Sequence, residues 1–470
     1  MSKKHNNQRD RALKQLAEKF EAGSRRGENT FFAEEELEDL LSYYFGLEDF
    51  DLALSVADLA ISRYKFTPEF YKWKALLHKI NAQEEGALRA LDQLNIYAPS
   101  DVESLMLRLE VLVHFDRREE ARDTLNLLVG LISGNEQRSV LVYYDAVLLM
   151  LEGDIQEAFN AFCESIQLDS YQEAALAEVT DNPVFSSYRK QFLSFLSRQL
   201  NRDAFNDLLW FYRGLVYDEL HQDIDAIEAY GYALALNDQR PDYSLEYADK
   251  LFDLERFDEA LAAYLRYLRL PESEHSYETS MRMGRSYQML DDYASAKQCY
   301  LRAADLEPGM YDIYQHLGEC CVAEESWAKA ADYYEQAVKC NNHTAECWLG
   351  VAYCSATTNE NERAEEAFLK AIEMSPTHSD AYVTYALFLV DQGRERDALA
   401  VVEEARGKYY DAALAYGTVA INLVCNRRRA ALMHLSEALS EFYKDHVYLL
   451  EWCPELVDDP EISAMLQLYK

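Results

Sequence analysis

Glycine and proline are scarce in this chain, 16 and 9 among 470 residues. That is too few turn formers for an all-β fold with many tight turns, so the expected class is all-α. Runs of 18 apolar residues are missing, and the opening M-S-K-K-H-N-N-Q-R-D-R lacks the apolar core of a signal peptide. The expectation is a cytoplasmic protein without membrane contact. The nine cysteines lack the spacing of a disulfide framework. Helix periodicity buries several of them, Cys163, Cys299 and Cys347 included, which points to a reducing compartment. Positive charge is short as well: 46 Lys and Arg stand against 83 Asp and Glu, a formal net charge of -37. Such a field repels phosphate backbones and anionic lipid, attracts basic partners and keeps an open protein soluble. Nucleic acid is therefore not an expected partner.

The sequence also lacks the usual signatures of chemistry. Gly-rich phosphate loops, Cys-x-x-Cys pairs and His-Glu-x-x-His are absent. His316, Cys320 and Cys321 lie within one turn or two, and Cys340, Cys347 and Cys354 recur at intervals of seven. Soft-metal ligands ordinarily pair within two to four residues, whereas a spacing of seven is what buried small side chains in stacked helices produce. Glu34 to Glu36 and the acidic run from Glu360 to Glu366 suit helix starts, where carboxylates favour the helix dipole. No catalytic residue, cofactor or metal is expected.

What the chain has is a repeat. From Trp210 to Asp238, large and small apolar residues are spaced as on two short helices, with Trp210, Gly214 and Tyr217 on the first and Ala226, Tyr230 and Ala233 on the second. Two such helices cannot bury their apolar faces alone and must stack on copies of themselves. The small residue that opens the second helix returns as Ala53, Ala87 and Ala121, 34 apart. It returns again as Ala158, after three residues that the loop-like segment Gly130 to Gln137 absorbs, and as Ala226 and Ala260, with Phe192 at the intervening frame. Ala296, Ala330, Ala364 and Ala398 follow at 34, and Ala431 at 33. Four residues beyond stands a large apolar side chain, as at Tyr230, Tyr264, Tyr300, Tyr334 and Phe368, and seven beyond usually another alanine. These offsets share one helical face. Pro99, Pro308 and Pro376 end second helices.

With its 34-residue period and its W-x2-L-G-x2-Y, A-x3-F and P pattern, the chain resembles the tetratricopeptide repeat (TPR) proteins over residues 34 to 445, in about twelve units. The resemblance implies an all-α helix-turn-helix solenoid wound as a right-handed superhelix, its first helices lining a concave face.

The pattern divides the chain. Residues 1–33 form a polar basic leader with an amphipathic helix from Asp10 to Ala22, carried by Leu13, Leu16 and Phe20 and ended by Gly23. A first array spans 34–172. Pro183 then falls inside what should be a first helix, where it costs about 3 kcal/mol, so 173–206 reads as a degenerate repeat or cap-like joint. Glu178 to Ser186, E-V-T-D-N-P-V-F-S, aligns with Glu455 to Ser463, E-L-V-D-D-P-E-I-S. A second array spans 207–445, and 446–470 forms a C-terminal cap. The alternative is one continuous superhelix with a degenerate tile.

Helix phase assigns a candidate groove. Its residues are Leu208, Phe211, Leu215 and Asp218, then Asp242, Leu245, Asp249 and Phe252, then Glu278, Met281 and Arg285. Gln315 and Glu319, and Glu346, Leu349 and Tyr353, continue it. This is an apolar floor with an acidic margin, suited to a protein or peptide segment carrying apolar and basic side chains. The competing reading places the acids there because they begin helices, and the apolar residues because they pack against neighbouring tiles. Arg285 is an isolated cation with Asp249 or Glu319 as candidate partners. Some TPR domains bind acidic tails through a Lys-x3-Asn, Asn and Lys-x3-Arg set. The matching places hold Glu38 and Ser42, Lys72 and Leu76, or Phe211 and Leu215, so that clamp is missing. The sequence thus reads as a non-enzymatic scaffold or adaptor. The alternatives are a peptide-sensing regulator, a helical enzyme in a degenerate repeat frame, and an RNA-binding helical repeat, which the charge opposes.

Overall fold

The turn between the helices of each regular tile is set by one residue in the left-handed region. Glu48, Ala82, Asp116, Gly153, His221, Glu255, Asp291, Glu325, Asn359, Gly393 and Asn426 all have positive φ. Each stands five residues before the tile's alanine. At His221 the φ of 55° lets its own N–H reach Asp218 O at 2.9 Å, and lets the N–H of Gln222 reach Tyr217 O at 2.9 Å. Carbonyls left over at the helix end are thereby satisfied, and the chain reverses at once into the next helix.

In the computed structural model, residues 1, 27–29, 272, 341–343, 454–458 and 470 are not described, and for residues 2–10, 24–26 and 451 only the backbone is. Among the described residues the chain is helical and has no strand. It forms two compact units, Met1–Asp238 and Gln239–Lys470.

The first unit holds the helix Ser2–Arg26 and the pairs Glu34–Gly46 with Phe50–Arg63, Pro68–Ile80 with Glu84–Tyr97, and Val102–His114 with Arg118–Val129. It continues with Asn135–Glu152 and Ile155–Leu168, then the irregular tile, then Asp207–Glu219 with Asp223–Leu236. The second unit pairs Pro241–Asp253 with Phe257–Tyr267, Tyr277–Met289 with Tyr293–Leu306, and Tyr311–Ala323 with Trp327–Lys339. Ala345–Thr357 with Asn361–Met374, Ser379–Asp391 with Glu395–Lys408, and Ala412–Val424 with Arg428–Phe442 complete its tiles, before Val447–Trp452 and Pro460–Leu468.

The predicted lattice of small and large residues is the core. Ala53, Ala87, Ala121, Ala158, Ala226, Ala260, Ala296, Ala330, Ala364 and Ala398 are fully buried, as is Phe192 in its odd frame. Tyr230, Tyr264 and Tyr300 are fully buried four residues on from their alanines. Close approach of paired helices is what the small residue permits.

Two features differ from the sequence expectation. The leader helix runs from Ser2 to Arg26, so Gly23 lies within it and does not end it. Burial supplies the reason: Ala17 and Phe20 pack on Phe32, Leu40 and Tyr44, and Lys19 Nζ donates to Phe31 O at 3.2 Å. The three extra residues before Ala158 are taken up in part by helix, since Asn135–Glu152 begins inside the segment read as a loop. The tile at 207–238 sits within the first compact unit.

Pro183 does break its tile. Helix Glu173–Asp181 stops at Asn182, and Pro183–Tyr188 forms a 3-10 turn before Arg189–Leu200. Asn182 Oδ1 caps this turn from Val184 N at 3.1 Å, and Phe185 is fully buried. In the second copy residues 455–458 lie outside the described residues. The remainder repeats the device, with Asp459 Oδ1 accepting from Glu461 N at 3.0 Å and Ile462 N at 3.2 Å, Pro460 opening the helix and Ile462 fully buried. An Asx cap, a proline and a buried apolar residue two positions later recur at both places.

Candidate protein-binding surface

The candidate groove residues lie on first helices, and each unit presents its own set. In the first unit, Leu208 and Phe211 are 4% and 6% exposed, while Leu215 and Asp218 are half-buried. Phe211 packs on Tyr230 with ring centroids 5.9 Å apart and on Tyr212 at 5.4 Å. Both apolar residues are buried within the tile, Phe211 against the Tyr230 ring that also fills the space above Gly214.

In the second unit the acids are mostly engaged. Asp242 accepts from Arg240 Nε at 3.1 Å and from its terminal nitrogen at 2.6 Å. Asp249 accepts the Tyr264 hydroxyl and pairs with Arg282 at 2.7 Å. Arg282, not Arg285, is thus the cation that meets Asp249. Arg282, three residues before Arg285 and less exposed, shares the Phe252 ring with it, the two guanidinium groups lying 5.7 and 5.9 Å from the ring centroid. Burial pushes the Tyr264 phenol well above its ordinary value, and Asp249 adds to the effect.

Glu319 is the hub of this face. Its carboxylate accepts from Gln288 Nε2 and Gln315 Nε2, each at 3.1 Å, and meets His316 Nδ1 at 2.9 Å. Burial raises its pKa, but the hydrogen bonds from His316, Gln288 and Gln315 outweigh burial and hold it below the ordinary carboxylate value. His316 is stacked on Tyr300 at 5.2 Å, and the Tyr300 hydroxyl donates to Gln288 Oε1 at 2.7 Å. The fan therefore orients Gln288, Gln315 and His316 from two successive first helices.

Other groove positions remain open. Glu278 and Arg285 are exposed, Leu245 and Met281 half-buried. Glu346 is exposed, 3.9 Å from His378. Its carboxyl is held low: burial raises it, and the Thr344 hydroxyl, its own backbone N–H and His378 overcome that. Leu349 is half-buried, and Tyr353 is 50% exposed with its ring 5.7 Å from Trp327. The arrangement is a set of half-buried and exposed apolar and aromatic side chains with the exposed acids Glu278 and Glu346 on the same helices, while Asp249 and Glu319 are tied into tile-to-tile contacts. The sequence reading does not mark Arg282, and weighs His316 only beside Cys320 and Cys321. A signal existed for His316, three residues before Glu319 on one helix face.

The thiols have a packing role. Cys320, Cys321, Cys347 and Cys354 are buried, and burial pushes Cys320 up to about 12 and Cys354 up to about 11. Among the described residues no group of three or more His, Cys, Asp or Glu could hold a metal ion. No helix of the described residues is long and apolar enough to cross a membrane.

Comparison with known proteins extends this picture. Residues 216–441 match the family model of the cilia and flagella-associated protein 70 C-terminal domain. BBSome complex member BBS4 of Bos taurus is 24% identical over 151 residues, 31% of this chain and 29% of that protein. Anaphase-promoting complex subunit 3 of Schizosaccharomyces pombe is 24% identical over 135 residues, 27% of this chain and 20% of that protein. The matches thus span less than a third of these relatives. Among solved structures, YrrB, described as a TPR protein with an unusual peptide-binding site, is 17% identical with a TM-score of 0.36 and covers 40% of this chain and 95% of its own. The APC/C hetero-tetramer Cut9-Hcn1 has a chain covering 93% of this one and 96% of its own, at 12% identity and a TM-score of 0.32.

Proposed function

The chain is a tetratricopeptide-repeat protein, and on that premise we propose that it is a non-enzymatic scaffold holding a protein segment against the first-helix face of its second unit. The observation that supports this reading most is that Leu245, Met281, Leu349 and Tyr353 are left half-buried or exposed on first helices, with the exposed acids Glu278 and Glu346 on the helices of Met281 and Leu349. A segment with apolar anchors and a Lys or Arg matches it. The formal charge of -37 favours a basic protein over nucleic acid or an anionic membrane. Two of the similar proteins are named as members of multisubunit complexes, which supports a place for this chain within an assembly. A cytoplasmic or ciliary location is part of the proposal, the match to the model of a cilia and flagella-associated protein supporting the cilium. The paired Asx-Pro devices at Asn182 and Asp459 support reading 173–206 as the remnant of an array end.

Affinity capture from native extract, at low and at moderate salt, tests the proposal. A basic protein recovered at low salt and lost as salt screens the field supports it. Nucleic acid retained at moderate salt contradicts it.

A further inference from the structure

One arginine of the first unit lacks the partner that the repeat provides elsewhere. Lys74, Arg108, Asp145 and Arg213 all hold the same place in their tiles, on first helices and one position before the small residue at the helix crossing. Each of the first three pairs with the second helix of the preceding tile. Lys74 Nζ meets Asp58 at 2.6 Å, Arg108 meets Asp92 at 3.0 Å, and Asp145 meets Arg122. Asp58 and Asp92 each lie 16 residues before their cation. The same interval before Arg213 leads to Ser197, which carries no charge and donates its hydroxyl to Leu193 O at 2.8 Å.

Among the described residues no carboxylate pairs with Arg213, and aromatic rings hold it instead. Its guanidinium lies 5.1 Å from the Trp210 ring centroid and 5.2 Å from that of Tyr217, and a terminal nitrogen donates to the Tyr217 hydroxyl at 2.8 Å. Its Nε is buried without a hydrogen-bond partner. Ring contacts fix the side chain but leave its charge uncompensated, so it is preorganised for an anion.

The neighbouring helix supplies the field. From Arg189 to Arg202 the chain carries four cations and no carboxylate, against a formal charge of -37 overall. Arg189 is taken by Glu219, whereas Lys190, Arg198 and Arg202 are exposed. At physiological salt, charges are screened over about 8 Å. A ligand on this helix therefore meets these cations and not the net charge of the chain. Asp225 and Glu228 are exposed on the next second helix, so the favourable ground is helix Arg189–Leu200 together with Arg213.

We infer that helix Arg189–Leu200 and Arg213 form a docking site for an acidic segment of another protein, one of whose carboxylates takes the place that Asp58 and Asp92 fill in earlier tiles. Those two tiles show which group the position accommodates opposite a cation. Further Asp or Glu side chains of the segment meet Lys190 and Arg198. The site belongs to the first unit and takes a ligand of opposite charge to the one proposed for the second.

The test uses the full chain and a fluorescein-labelled hexaglutamate peptide, read by anisotropy at about 0.15 M salt. Saturable binding is expected, and none of a hexaglutamine peptide. Arg213→Gln, its fold checked by circular dichroism, should weaken binding about tenfold, the scale of one charged hydrogen bond. Ser197→Asp supplies the missing carboxylate from within the chain, so it should weaken binding to a similar extent. Lys74→Gln removes a cation that is already paired and should change nothing. Glu278→Lys in the second unit should change nothing either, which separates this site from the surface proposed above. The inference is overturned by absence of saturable binding, by indifference to Arg213→Gln, or by unchanged affinity in Ser197→Asp. Tighter binding of an oligothymidylate, lost in Arg213→Gln, would overturn it too, by giving the site to phosphate.

Discussion

A β-carbon built on Gly214 would stand 2.5 Å from the ring of Tyr230. The two residues lie on the paired helices of one tile, and Tyr230 is fully buried. Gly284 and Tyr300 repeat the relationship at 2.5 Å. Gly214→Ala should therefore destabilise the first unit by about 1–3 kcal/mol, the cost of overpacking a full core. Chemical denaturation measures it. In a Tyr230→Leu background the same substitution should cost much less, and equal costs in both backgrounds would refute the contact.

The irregular tile is held by a different contact. Arg189, 5% exposed, donates to both oxygens of Glu219 and to Val179 O. It ties the segment after the proline break to the helix that follows and to the one before. Arg189→Met should lower stability by about 2 kcal/mol, the scale of charged hydrogen bonds. Amide exchange should quicken over residues 173–200 first. Exchange that quickens evenly over the first unit would show that the clamp is not local.

How much of this was legible follows from which residues carry it. The alanine register, the aromatic four residues on and the break at Pro183 are local or strictly periodic, and the structure keeps them. The left-handed turn residue was equally periodic but went unseen, because Glu48, Ala82 or His221 does not advertise positive φ as glycine does. Gly23 was misjudged because a buried face at Ala17 and Phe20 outweighs the propensity of one glycine. At the groove, helix phase placed the side chains but could not show that Asp249 is taken by Arg282 or Glu319 by His316, since those pairings depend on side-chain reach.

The Glu319 network makes stability depend on pH. Its folded pKa is depressed from 4.5, chiefly by His316, Gln288 and Gln315 acting against burial. The contribution is present above the unfolded value and is lost as pH falls through the folded one. The stability advantage of the parent chain over Glu319→Gln should be full at pH 7, narrow below pH 4.5 and vanish once the carboxyl is protonated. Urea midpoints of the two proteins across that range decide it. A constant difference would show that the hydrogen bonds to Glu319 contribute nothing.

The central claim is that the exposed acids on the first-helix face of the second unit meet a basic segment of a partner. Glu278 and Glu346 are the acids to change, because Asp242 is already paired with Arg240 and Asp249 with Arg282 of the next tile. The measurement is the dissociation constant of the captured partner for the parent chain and for the Glu278→Lys, Glu346→Lys double variant, at low salt, with thermal melts alongside. The account predicts a loss of at least about tenfold, roughly 1.4 kcal/mol, that shrinks as salt rises, with the melt unchanged. Equal affinity of the two proteins at every salt concentration would contradict it.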